Sequence, residues 1–314
     1  MIVHYAYSFK TQLVAIMMTF ILLLTNQVIL PLLFVLWFYQ AKPLSRSNFI
    51  LQALFTGSLV GFAWIIGPQA WTSIFVGISI FILFIAAFIK GVRELPKTWE
   101  FKLGDGWKSI IFTVTQILVT LVFLPICLWG LSGYSVDEQA LELEFPMKDG
   151  IYIVGHGGST PLINYHNVSK TQTYALDISK INGIGTRVWG IHPEELDRYA
   201  IFGENLYSPC DGQVLDVTKG NPDMNPPNRG EGHPAGNHVV LSCGDAEVTM
   251  AHFKQNSIVV DSADFISTGE LLGKSGNTGN TSEPHLHIHA VKDSTGIPIL
   301  FNNRFLVRNS LVWR

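Results

Sequence analysis

Charged residues are scarce: Asp, Glu, Lys and Arg make up 14% of the 314 residues, against roughly a quarter of an average soluble domain. The shortage is local. Residues 1–135 hold 8 Lys and Arg and 3 Asp and Glu, whereas residues 136–314 hold 13 and 21. Four stretches in the first part, residues 11–40, 49–66, 71–89 and 109–131, contain no charged residue at all. Each is long enough, or nearly so, to cross a hydrocarbon core of about 30 Å as a helix. They also lack the polar faces that buried helices of a soluble bundle require. A cleavable signal peptide is excluded, because four such segments follow one another without a small-residue cleavage site. With no ionisable side chain inside the spans, transport or channel activity is disfavoured; anchoring, or contact with a membrane protein partner, is the simpler role.

The loops between these stretches set an expected orientation. Lys42 and Arg46 lie between the first two spans, and residues 67–70 between the second and third carry no charge. Lys90, Arg93, Lys97, Lys102 and Lys108 lie between the third and fourth. After the fourth span no Lys or Arg occurs before Lys148, while Asp137, Glu138, Glu142 and Glu144 do. Positive loops belong on the cytoplasmic side, so both termini, and everything after residue 136, are expected outside the cell membrane. The acidic balance of that part makes nucleic acid a poor partner.

Cysteine is equally scarce, with three in the chain and no Cys-x-x-Cys pair, which argues against a thiolate metal site. Cys127 lies inside the fourth span and reads as a small packing residue. Cys210 precedes a strand at 213–217 and Cys243 ends another at 239–242. If these pair as a hairpin around the Gly/Pro/Asn-rich loop 219–237, both cysteines sit at its open end. In an oxidising space a disulfide is expected there, the alternative being two unpaired thiols.

Long amphipathic helical patterns are missing beyond residue 150. Short Val/Ile-rich runs at 151–154, 174–178, 214–217, 238–241, 247–252 and 286–291 alternate with Gly, Pro, Asn and Asp and predict β-structure throughout. The expected organisation is a membrane region at 1–135, a linker at 136–150 and an extracytoplasmic domain at 151–314. Loops 179–200 and 219–237 exceed normal hairpin lengths and suit the walls of a groove. Gly269-Glu-Leu-Leu-Gly273-Lys274-Ser275 imitates a phosphate-binding loop but has three residues between its glycines where the motif needs four.

What stands out among the residues present is Pro284-His285-Leu286-His287-Ile288-His289. On a β-strand its three histidines share one face, and neutral imidazoles gathered there suit a zinc ion. Other pieces stand in order around it. They are Tyr174-Ala-Leu-Asp177-Ile; Ser208-Pro-Cys-Asp-Gly212-Gln-Val214; Gly236-Asn237-His-Val-Val-Leu; Met250-Ala-His252-Phe; and Gly276-Asn-Thr-Gly279-Asn-Thr.

This succession, over roughly residues 150–292, closely resembles the lysostaphin-like zinc metallopeptidases of peptidase family M23, also called the LytM or peptidoglycan endopeptidase family. The resemblance implies a C-terminal all-β, antiparallel-sheet metallopeptidase domain behind an N-terminal α-helical transmembrane region of four spans. It also implies one zinc ion per domain and peptides of bacterial peptidoglycan as substrate. In the family the second histidine of the His-x-His pair binds zinc, which points to His287. The first, here His285, acts in catalysis with the histidine of the Ala-His stretch, here His252. Asp177 matches the ligand aspartate. The ligand histidine that usually stands four positions before it is replaced by Thr173. His166, further upstream, is the favoured third ligand, because a loop of about ten residues closes at modest entropic cost. His156, or no third ligand at all, are the alternatives.

Two His and one Asp would leave the fourth position of a tetrahedral zinc open for water, with His252 or His285 moving the proton. His289 falls where the family more often has a carboxylate and is expected outside the ligand shell. His192, His233 and His238 are expected in loops or at the surface. A different reading, prompted by Thr173, is a non-catalytic domain that binds cell wall or a protein partner and regulates other hydrolases. The joint presence of Asp177, His252, His285 and His287 argues for the enzyme.

Overall fold

The computed structural model describes residues 14–103 and 105–314. The chain falls into two compact units that divide between Leu131 and Ser132, one helical and one built on β-sheet.

In the helical unit, α1 (Val14–Gln40), α2 (Arg46–Ile65), a single turn α3 (Gln69–Thr72), α4 (Ile74–Arg93) and α5 (Trp107–Ser132) follow in order. The four long ones have the length and composition to cross a membrane. Residues 11–13 of the first expected span lie outside the described residues. Within α1 the residues Thr25–Ile29 form a π-helical turn, in which the Leu30 N–H reaches back to the Thr25 carbonyl. Pro31 stands just beyond this turn, and its missing N–H explains why the regular ladder is interrupted there. Val35 of α1, Val60 of α2 and Ile80 of α4 form one buried cluster, and Phe38, Phe49 and Ala87 form a second. Ile82, Leu118 and Leu121 remain exposed, as side chains facing lipid would be. α4 runs past the apolar stretch to Lys90 and Arg93, which sit in its last turn, where cations oppose the negative end of the helix dipole.

The second unit contains β1 (Leu141–Leu143), β2 (Ile151–His156), β3 (Leu176–Lys180), β4 (Asn205–Tyr207), β5 (Gly212–Thr218), β6 (His238–Cys243) and β7 (Ala246–Ala251). β8 (Phe265–Ile266), β9 (Leu271–Lys274), β10 (Leu286–Lys292), β11 (Thr295–Ile297), β12 (Ile299–Phe301), β13 (Arg304–Phe305) and β14 (Leu311–Trp313) complete it. Its main sheet runs in the order β14-β2-β3-β10-β7-β6-β5-β8, with β11 also paired to β10. Every pair in that sheet is antiparallel, so the expected all-β antiparallel class holds. The short β1–β12 pair is parallel. Residues 136–150, read from the sequence as a linker, supply this strand and place Leu143, Phe145 and Met147 in the core. The apolar alternation Leu141, Leu143, Phe145, Met147 carries that signal, but three residues of strand are too few for periodicity to reveal.

Alternation within the strands builds the core. Leu286, Ile288 and Ala290 of β10 face inward beside Val248 and Met250 of β7 and Val239 and Leu241 of β6, all at most 1% exposed. Each large aliphatic side chain buried so completely contributes about 1.5–3 kcal/mol. The opposite face of the same strands is thereby left for polar residues.

Cys210 and Cys243 form a disulfide, with Cα atoms 5.8 Å apart, at the open end of the β5–β6 hairpin. It closes a loop of 33 residues, for which chain entropy gives a stabilisation of about 4 kcal/mol. The paired Cys210→Ser, Cys243→Ser variant is expected to lose that amount in denaturant unfolding of the purified chain. An unchanged midpoint would contradict it. Gly236 and Gly279 bring two site loops into backbone contact: both have positive φ, and a Cβ on Gly279 would lie 2.4 Å from the Gly236 nitrogen.

Candidate metal centre and active-site cleft

β10 lies between β3 and β7, so His287 faces Asp177 on one side and Ala251 on the other. The small alanine leaves the space above it open. His252 follows directly after β7 and has φ of 63°, a left-handed conformation that costs a residue with a Cβ on the order of 1 kcal/mol.

His166 arrives from outside the sheet, on the 3-10 turn Tyr165–Val168. Asn164 caps that turn by accepting the His166 N–H, while its amide donates to the carbonyls of Gly158 and Ala175. Because Ala175 leads into β3, this one side chain ties the turn to the strand that carries Asp177. Thr173, at the position where the family pattern has histidine, instead donates to the carbonyls of Ser169 and Lys170 and closes the intervening loop.

The result is a tight convergence. His166 Nε2 stands 3.0 Å from both oxygens of Asp177, and His287 Nδ1 stands 2.9 Å from Oδ1. One donor atom from each of the three residues lies within 4.8 Å of the others, and all three residues are buried. Burial by itself would raise the Asp177 pKa, but His285, His166 and His287 outweigh it and hold the carboxyl well below its usual range. The three side chains form a candidate metal site.

Two further histidines flank it. The rings of His252 and His285 are 4.8 Å apart, and that of His252 is 5.9 Å from His287. His252 Nδ1 donates to the Thr278 carbonyl at 2.8 Å, and His285 Nδ1 to the Glu283 carbonyl at 2.9 Å. A carbonyl can only accept, so Nδ1 carries a proton in both rings, and the neutral form of either has its free lone pair on Nε2. Burial, reinforced by His285 and His287, pushes the His252 pKa well down and keeps that ring neutral. His285 Nε2 lies 3.5 Å from Asp177 Oδ1. His289 contacts His287 Nε2 through its own Nδ1 at 3.0 Å, on the side away from the carboxylate, and so fixes the orientation of that ring. Burial, then His287 and His166, push the His289 pKa down to about 3.

His156 stands apart from the convergence. Its backbone pairs with Asp177 across a bulge in β2, yet its Nδ1 accepts from Arg308 at 2.8 Å. Its lone pair is thus committed elsewhere. The expectation that His192, His233 and His238 lie in loops or at the surface needs correcting for His238 alone, since His192 does lie in the loop after β3. His238 is buried in β6, where its Nδ1 donates to Gly236 O, and the His192 side chain is buried against Glu283. His233 stacks on His238 at 5.1 Å.

His166, His252, His285, His287 and His289 open onto a cleft of about 560 Å³, whose walls include Tyr165, His238 and Asn280. Sequence reasoning missed Tyr165, whose ring packs 3.9 Å from that of His166. It also missed Arg187 and Glu283, a buried ion pair at 2.7 Å. Burial would raise the Glu283 pKa, but Arg187, with His192, brings it down to about 2. Glu283 stands two residues before His285, its only sequence clue; Arg187 carries none.

The architecture defines an antiparallel β-domain with a candidate metal site on the floor of a cleft. The family model described as peptidase family M23 matches residues 196–298, about a third of the chain. The matched segment includes His252, His285 and His287 and begins after His166 and Asp177. Among solved structures, a zinc-containing peptidase from Vibrio cholerae is 18% identical with a TM-score of 0.25, covering 39% of this chain and 48% of its own. Lysostaphin from Staphylococcus simulans is 17% identical with a TM-score of 0.28, covering 52% and 51%. The M23 metalloprotease pseudoalterin, from the deep sea, is 14% identical with a TM-score of 0.35, covering 56% and 100%. The chain thus spans about half the length of the first two. No protein of curated function matches the sequence.

Proposed function

We propose that the chain is a membrane-anchored zinc endopeptidase that hydrolyses peptide bonds in the stem peptides or cross-links of bacterial peptidoglycan. The observation that carries this reading is the meeting of His166, Asp177 and His287, with His252 and His285 beside them, in a domain that the M23 family model matches in part. Two imidazole nitrogens and one carboxylate oxygen are a donor set suited to catalytic zinc, which takes three protein ligands and keeps one position open. The residues therefore fit one zinc ion, held by His166, Asp177 and His287 and open to the cleft. Bound there, zinc supplies Lewis acidity towards a water molecule and the scissile carbonyl.

The protein's own groups do the rest. With Nδ1 engaged by a carbonyl, the neutral ring of His252 or His285 turns the lone pair of Nε2 to the cleft, so between them the two rings take the proton from water and return one to the leaving amine. The cleft orients the peptide, and the Thr278 and Glu283 carbonyls keep the two rings in the required tautomer. The apolar helices hold the domain at the cell membrane, with the loops rich in Lys and Arg on the cytoplasmic side and the domain outside.

Incubating the zinc-loaded chain with purified peptidoglycan is expected to release new amino termini, identified by mass spectrometry of the fragments. Failure to cleave peptidoglycan from several cross-link classes would overturn the substrate assignment.

A further inference from the structure

The side chains of one buried charged cluster near the cleft have no part in the chemistry above. Arg187, in the loop between β3 and β4, is 4% exposed, and its Nε lies 2.7 and 2.8 Å from the two oxygens of Glu283. Its Nη2 adds a contact at 2.7 Å. His192, from the same loop, brings Nδ1 to 3.4 Å from that carboxylate, and the Tyr199 hydroxyl secures the loop by donating to the Pro193 carbonyl.

A desolvated ion pair contributes little net stability, and apolar residues of similar volume often replace one without loss. What it does supply is geometry, because a guanidinium fork meeting a carboxylate through several contacts fixes both partners in angle as well as distance. Here the fixed residue is Glu283, whose backbone carbonyl accepts from His285 Nδ1 at 2.9 Å. Thr281 Oγ1 donates to the same carbonyl at 2.7 Å. Pro284, between Glu283 and His285, removes one backbone degree of freedom. Little slack therefore separates the ion pair from the imidazole.

We propose that Arg187 and Glu283 are positioning residues that clamp the Glu283 carbonyl, holding His285 as the Nδ1–H tautomer with Nε2 directed at the metal site. The catalytic part of this inference rests on the proposed peptidase function; the tautomer part does not. The clamp couples the loop between β3 and β4 to a ring that lines the cleft.

The test compares Arg187→Met, Glu283→Met and the double variant in the full chain, zinc-loaded in detergent. Each single change strands a buried charge and is expected to lower thermal stability; the double change removes both charges and is expected to restore it. Despite that recovery, and with zinc content and KM unchanged, the double variant is expected to show a kcat lower by about 10–100-fold, the usual loss on removing an outer partner. Long-range proton–nitrogen correlation of the histidine rings supplies a readout independent of activity. His285, assigned by loss of its signals in His285→Gln, is expected as a single Nδ1–H tautomer in the wild type and as a mixture in the double variant. An unchanged His285 tautomer in the double variant overturns the clamp whatever the activity, and an unchanged kcat overturns its link to catalysis. A wild type that cleaves no peptide defeats the functional reading alone, because the tautomer measurement still decides the clamp.

Discussion

His166→Ala is expected to empty the metal site. Wild-type protein purified without chelators should carry close to stoichiometric zinc by elemental analysis, and the variant almost none. His166 supplies one of only three donors, and its Nε2 faces both oxygens of Asp177. Removing it leaves two ligands and an opened wall, so the affinity loss should exceed the roughly 10–100-fold typical of an outer partner. Peptidase activity should fall with it. His156→Ala is the control: its lone pair is taken by Arg308, so zinc content should stay at the wild-type level. Retained zinc in His166→Ala, or loss in His156→Ala, would reassign the third ligand.

Substituting His252 or His285 should give a different pattern: zinc retained, chemistry lost. Both rings offer Nε2 to the cleft and neither belongs to the converging donor set. A proton-transfer group contributes about 10²–10⁴-fold in rate, so His252→Ala and His285→Ala should each lower kcat by that order with KM nearly unchanged. If the two act as a unit, the double variant should be scarcely worse than either single one. Loss of zinc in these variants would move them into the ligand set, and full activity in either would remove that residue from the mechanism.

The helical spans and most of the sheet were legible because burial dictates both patterns: uncharged runs for the first, two-residue alternation for the second. Leu286, Ile288 and Ala290 announce a strand with one buried face, and the intervening histidines then have to share the other. The edges of elements were less legible. Leu141–Leu143 was hidden because its partner, Ile299–Phe301, lies more than 150 residues away. His166 could be nominated from its distance to Asp177, but the reason it arrives there, the Asn164 cap reaching Ala175, depends on tertiary contacts. His238 was misplaced because a histidine in a polar context gives no local sign of burial. The Arg187–Glu283 pair was invisible for the same reason, since ion pairs distant in sequence leave no periodicity.

The donors of the candidate site come from a turn before β3, from β3 itself and from β10, with Asp177 and His287 separated by 110 residues. β10 sits in the middle of the sheet, between β3 and β7, so the last donor arrives only when a late segment of the chain docks between two earlier ones. A nascent or truncated chain that ends before residue 286 possesses at most two of the three donors. On the proposed function, hydrolytic competence is in this way withheld from an incomplete chain, and on the proposed orientation the ion would be captured from the extracytoplasmic pool rather than carried across the membrane.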